Sequence, residues 1–173
     1  MPAPARQRPR SLAPLLLAAL LGGCGGASFA QGIYDDGSVR YRVGALGPGW
    51  ERLEVDDNDL AWTHRTLGTL SVNSTCQSYE DVPEEALMNH LLFGTRERTY
   101  RLEETVTIDG RGGRHAVVDL ELDGVPLTLE VLVFRKDGCV YDVSLITGRA
   151  SFAQARTAFA ALVAGFKVLR TSL

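Results

Sequence analysis

The chain has 173 residues, 45% of them hydrophobic and 23% charged, with three cysteines and a formal net charge of −3. A length in the range of one domain and an ordinary apolar share exclude wholesale disorder and collagen-like repetition. A small negative charge with no basic stripe excludes a dedicated nucleic-acid binder.

At the N-terminus Arg6, Arg8 and Arg10 form a positive start with no acid near them, and Leu12 to Leu21 is an apolar run. Spanning a hydrocarbon core takes about 20 residues, so this run is too short for an anchor helix and has the features of a secretory signal. It ends in Leu21-Gly22-Gly23-Cys24, which resembles the bacterial lipobox. That resemblance implies a lipoprotein signal peptide over residues 1–23, a diacylglycerol on the Cys24 sulfur, cleavage before Cys24 and acylation (palmitate) of the freed amine. In Gram-negative lipoproteins an aspartate after the cysteine signals inner-membrane retention, so Gly25 points to the outer membrane, facing the periplasm. The alternative is a plain signal peptide cut after Ala30, in Ser28-Phe29-Ala30. Two or three acyl chains anchor stably where one binds only marginally. The mature chain keeps 15 basic residues against 21 acids, a charge of −6. Anionic headgroups then offer the domain nothing, and the membrane is held as a partner through the lipid.

Residues 24–37 carry four glycines without sustained periodicity and are expected to be a flexible tether. A single domain is expected over residues 38–173. Val39, Tyr41 and Val43 alternate with polar neighbours, a strand period. Gly47-Pro48-Gly49 interrupts the chain, and Leu53 with Val55 starts the next strand. Asp56-Asp57-Asn58-Asp59 supplies a turn. Leu60, Trp62 and His64 then lead through Leu67-Gly68 into Leu70, Val72, Ser74 and Cys76. A helix follows, with Asp81 as N-cap, Pro83 in its first turn and Glu84 completing a capping box. Its apolar stripe is Leu87, Met88, Leu91 and Leu92, and Gly94 ends it.

Three Asp-Gly pairs, at Asp109, Asp123 and Asp137, are each 14 residues apart. Both residues of such a pair tolerate positive φ, so the stretch from Tyr100 to Ile146 is expected to be a four-stranded antiparallel meander. The last element is a helix capped by Ser151. Phe152, Ala155, Phe159, Leu162, Val163 and Phe166 form its buried stripe, with Arg156, Thr157 and Lys167 facing water. Ala153, Ala160, Ala161 and Ala164 leave room on its outer face for a partner or ligand. The fold class is α+β: an antiparallel sheet with a short mid-chain helix and a C-terminal helix packed on it.

This order resembles the Mog1p/PsbP-like fold: an N-terminal strand leading to Pro48-Gly49-Trp50, two hairpin strands, a short helix, a meander and a C-terminal helix ending in Gly165-Phe166. The stretches Gly68 to Cys76 and Lys136 to Asp142 also resemble those of uncharacterised myxobacterial-type predicted lipoproteins. The PsbP likeness implies an envelope or lumenal assembly role, mostly non-enzymatic; fold alone assigns no activity.

With Cys24 lipidated, Cys76 and Cys139 remain. In an oxidising compartment an even pair reads first as a disulfide, with two buried free thiols as the alternative. His64, His90 and His115 lie in different elements without metal-ligand spacing. His115 shares a strand face with Asp119, too far along the strand to hold one ion with it. No serine sits in a nucleophile-elbow context, and no carboxylate pair can be nominated among 21 acids. Gly110-Arg111-Gly112-Gly113-Arg114 precedes a strand rather than a helix, so it reads as a glycine-rich hairpin and not a phosphate cradle. The functional expectation is a lipid-anchored, non-enzymatic cell-envelope protein with no cofactor and no metal, binding an envelope protein or scaffolding an assembly. The alternative is a binding module for a small apolar or lipid ligand.

Overall fold

A computed structural model describes residues 26–56, 58–76 and 82–171. Two antiparallel sheets account for most of it. The smaller contains β1 (Ser28–Ala30), β2 (Ile33–Asp35), β3 (Val39–Arg42) and β11 (Lys167–Thr171), in the order β1-β2-β3-β11. The larger has seven strands in the order β4-β5-β6-β10-β9-β8-β7. They are β4 (Trp50–Leu53), β5 (Leu60–His64), β6 (Gly68–Thr75), β7 (Arg96–Ile108), β8 (Arg111–Leu122), β9 (Val125–Lys136) and β10 (Cys139–Gly148). Helix α1 (Glu84–Leu91) lies on one face of this sheet. Helix α2 (Phe152–Ala164) and the small sheet lie on the other. The architecture is the expected α+β one.

The three Asp-Gly turns are formed as expected. Asp109, Asp123 and Asp137 have φ of 46°, 50° and 52°, and the glycines after them 77°, 82° and 79°. Two left-handed residues in a row match the strand twist, which makes a two-residue hairpin tight and its register definite. Period-two alternation then separates two cores. Leu132 and Phe134 of β9, Tyr141, Val143 and Leu145 of β10, and Leu70 and Val72 of β6 meet Phe159 and Leu162 of α2, with Tyr41 and Phe166 beside them. Ala116, Val118 and Leu120 of β8 and Leu129, Val131 and Val133 of β9 meet Met88 and Leu92 on the other face. Gly113 fits this sheet because a Cβ there would lie 2.8 Å from Phe134 Cβ. Gly44 lets the chain after β3 touch α2, where a Cβ would lie 1.9 Å from the Ala161 carbonyl oxygen.

Four expectations need correction. Residues 28–35, expected within the tether, are a hairpin instead: β1 and β2 pair through a Gln31-Gly32 turn with φ of 53° and 75°. Phe29 then packs edge-on to Trp62. The chain also does not end on a helix: β11 follows and pairs with β3, placing Val168 in the core. Helix α1 starts at Glu84 with Pro83 at its N-cap and no side-chain cap bond. Asp81, the expected cap, lies outside the described residues. Ser151 likewise makes no cap bond, because a 3-10 turn over Arg149–Ser151 leads into α2.

Candidate functional site

Two features stand out, one on each face of the large sheet. On the α2 face, register brings four charged side chains together. Glu104 on β7 lies directly opposite His115 on β8, and Glu130 on β9 opposes the next inward residue, Val117. His115 Nδ1 is 2.9 Å from Glu104 Oε1, and Nε2 is 2.9 Å from Glu130 Oε1. Ionised carboxylates only accept, so two such partners call for a proton on each ring nitrogen and favour the imidazolium form. The bond to Glu130 holds the His115 pKa above its ordinary value against burial, which acts the other way, and Glu104 adds to the rise. From α2, Arg156 Nε donates to the same Glu130 oxygen at 3.2 Å. Phe159 stacks on the imidazole at 6.0 Å between centroids. The cluster closes one end of an apolar groove of about 330 Å3 along α2, walled by Val106, Ile108, Val163 and Ala160. An imidazole bonded through both nitrogens has no free edge to take a proton from a substrate. Its two carboxylates sit on opposite sides of the ring, so they do not converge on one ion.

On the other face, a cavity of about 380 Å3 opens between α1 and the sheet. Ala86, Leu87 and Leu91 line it from α1, and Val133 and Val140 from the strands. Its polar residue on β10 is Asp142, which lies across from Val133 on one side and Asn73 on the other. Asn73 Nδ2 donates to Asp142 at 2.9 Å, and Asn58 Nδ2 donates to Asn73 Oδ1 at 2.7 Å. Burial pushes the Asp142 carboxyl up to about 6, partly opposed by the bond from Asn73. Such an apolar hollow with one perturbed acid is the kind of place where small ligands bind.

The residues singled out in the sequence are distributed otherwise. Cys24 lies outside the described residues. Cys76 and Cys139 are neighbours across β6 and β10, with Cα atoms 4.2 Å apart and sulfurs at a disulfide distance of 2.12 Å. Asp119 is not His115's partner: it accepts from Thr128 Oγ1 at 2.7 Å and pairs with Arg101 at 3.5 Å. His64 sits against Trp50 at a sheet edge, and His90 lines the α1 cavity. Asp59, in the β4–β5 connection, accepts from Ser74 Oγ at 2.5 Å and Tyr41 Oη at 3.0 Å. Burial raises its pKa against those bonds. Arg156 does not simply face water. Its guanidinium reaches back over the helix edge to a carboxylate that is 2% exposed. Sequence reading missed the Glu104–His115–Glu130 cluster although a signal existed. Counting four residues outward on both sides of the innermost pair, Ile108 and Arg111, places Glu104 opposite His115.

Among the described residues no helix is long and apolar enough to cross a membrane, and no group of three or more His, Cys, Asp or Glu side chains is arranged to hold a metal ion. No family model and no curated protein matches the chain. Solved structures do. The solution structure of cyanobacterial PsbP (CyanoP) from Synechocystis superposes with a TM-score of 0.55 at 16% identity, covering 86% of this chain and 99% of that one. LpqN, involved in cell envelope biogenesis of Mycobacterium tuberculosis, gives a TM-score of 0.55 at 9% identity over 76% of this chain and 86% of its own. A Bacteroides thetaiotaomicron protein gives 0.54 at 10% identity, over 75% of this chain and 45% of that one. At such identities the likeness is one of fold, and the fold is PsbP-like.

Proposed function

We propose that this chain is a lipid-anchored, non-enzymatic protein of the bacterial cell envelope. In this reading Cys24 holds it to the outer membrane on the periplasmic side, and its domain binds another envelope protein. The lipobox resemblance supports the anchor. The fold shared with CyanoP and with LpqN, an envelope-biogenesis protein, is compatible with an assembly role. The observation that carries protein binding is an apolar surface on the α1 face. Phe93, just beyond α1, is 85% exposed, with Val125 53% and Ile146 39% exposed. Half-buried Leu91, Leu122 and Leu127 fill the space between them. Clustered large apolar side chains in water mark interaction surfaces, whereas single ones need no explanation.

In this reading the anchor belongs to the opposite side. From Cys24 to Ser28 the chain can span at most about 14 Å, and β1 rests on Trp62, on the α2 face. The apolar surface is then turned away from the side where a lipid on Cys24 would attach, which favours a protein over the bilayer as its occupant. Two experiments test the reading. Cys24→Ser is expected to release the folded chain from membranes; retention after a salt wash overturns the anchor. A photo-crosslinking residue at Phe93 in cells is expected to give a discrete adduct, while one at Gln154 on α2 gives none. No adduct from position 93 at normal expression overturns the docking surface.

A second reading, a binding module for a small apolar or lipid ligand, is favoured by the α1 cavity, whose volume of about 380 Å3 lies at the small end of the roughly 300–1,000 Å3 typical of ligand pockets.

A further inference from the structure

Asp142 is an unusual choice for its place. Around it on the α1 side β9 carries Val131, Val133 and Arg135 and β10 carries Val140 and Ser144. Arg135 turns its guanidinium to the Val82 carbonyl, and the carboxylate loses part of its hydration without an ion-pair partner among the described residues. It accepts its hydrogen bond from the neutral Asn73 amide, and among the described residues no Lys, Arg or His comes within ion-pair distance of it. The relay from Asn58 to Asn73 to Asp142 orients the carboxyl but leaves its charge uncompensated. Across the sheet, Asp59 is held by Ser74 and Tyr41 on the α2 side, and its charge adds to the rise of the Asp142 carboxyl. Above lie the apolar side chains of α1. A ligand that satisfies both halves of this cavity needs an apolar body and a positive end. A neutral donor fills a hydrogen bond but leaves the charge. A divalent cation would find too few oxygens, since Ca2+ takes roughly 6–8.

We propose that the cavity between α1 and the sheet binds an apolar molecule carrying a protonated amine, its chain against Leu87, Leu91, Val133 and Val140 and its ammonium donating to Asp142. This rests on the ligand-binding reading above and names the ligand's chemical class. The charged and titratable groups on Asp142's own face are His90, from α1, and Arg135, from β9, whose guanidinium donates to the Val82 carbonyl; Asp59, from the β4–β5 connection, acts on it from across the sheet. Asp142 must be ionised to hold the amine, so binding strengthens as pH rises through about 6.

The test is calorimetric titration of the whole chain carrying Cys24→Ser, so that no attached lipid competes, with n-octylamine, n-octanol and n-octanoate. At pH 7.5 octylamine is expected to saturate one site at least ten-fold more tightly than octanol, with octanoate weakest. Asp142→Asn should bring octylamine to the octanol level and leave octanol unchanged. It removes a half-buried charge that lacks an ion-pair partner among the described residues, so the variant should melt no lower than the parent. Ala86→Phe, filling the cavity from a helix position, should abolish both. Octylamine should also weaken at pH 5. Equal affinity for octylamine and octanol, or indifference of octylamine to Asp142→Asn, overturns the charge assignment while the ligand-binding reading stands. No saturable binding of any probe overturns both.

Discussion

Arg156→Ala is the sharpest probe of how α2 is held to the sheet. Helical periodicity places Arg156 away from the buried stripe, where truncation should cost under about 0.5 kcal/mol. The structure instead pairs it with a buried acid. Its Nε lies 3.2 Å from Glu130, whose side chain is 2% exposed, while its own is 48% exposed. Removing one partner of a fully buried pair costs about 3–5 kcal/mol. Here His115 still compensates Glu130 at 2.9 Å, and solvent screens the half-exposed guanidinium. The expected loss is therefore about 1–2 kcal/mol. With a urea dependence near 2 kcal/mol per molar, that moves the unfolding midpoint down by roughly 0.5–1 M. Gln154→Ala, an exposed position on the same helix, is the control and should not move it. Coincident midpoints for Arg156→Ala and Gln154→Ala would refute the claim that Glu130 depends on α2 for its charge balance.

Phe159→Ala should cost more, about 3–5 kcal/mol, because Phe159 is 4% exposed and covers the His115 ring; a loss below that of Arg156→Ala would place α2 off the core. The raised His115 pKa sets a pH dependence. A group whose folded pKa lies above its unfolded value stabilises fully below the unfolded pKa, about 6.5 for histidine, and loses that contribution as pH rises through the folded pKa. Thermal unfolding should thus show stability falling on the alkaline side of 6.5, and His115→Gln should flatten that slope; parallel profiles would contradict the imidazolium assignment. A Cys76–Cys139 bridge closes a separation of 63 residues, worth about 4 kcal/mol in the chain-entropy model. Reductant and Cys76→Ser should each lower the melting temperature, and two alkylatable thiols in the untreated protein would rule the bridge out.

Elements that obey local rules were legible in the amino-acid order. Asp-Gly at positions 109, 123 and 137 demands turns at positive φ, and the alternation between them makes strands, so the meander and the faces of its residues could be read without coordinates. The spacing of Phe152, Ala155, Phe159 and Leu162 likewise announced a helix packed on that sheet, although Phe166, expected on the same stripe, lies past the helix end at Ala164. Contacts between elements distant in the chain emerged only in the assembled fold. The β1–β2 hairpin turns through Gln-Gly, a weaker signal than Asp-Gly, and β11 is a short terminal strand stabilised by pairing with β3. Arg156 followed helical periodicity outward until a carboxylate 26 residues upstream drew its guanidinium back across the helix edge. Asp142 reads in sequence as one more polar residue alternating along a strand. It becomes a half-buried acid without an ion-pair partner among the described residues because α1, from earlier in the chain, comes to lie over that face. Local stereochemistry depends on a residue and its near neighbours; desolvation and charge pairing depend on what the rest of the chain brings to the same place.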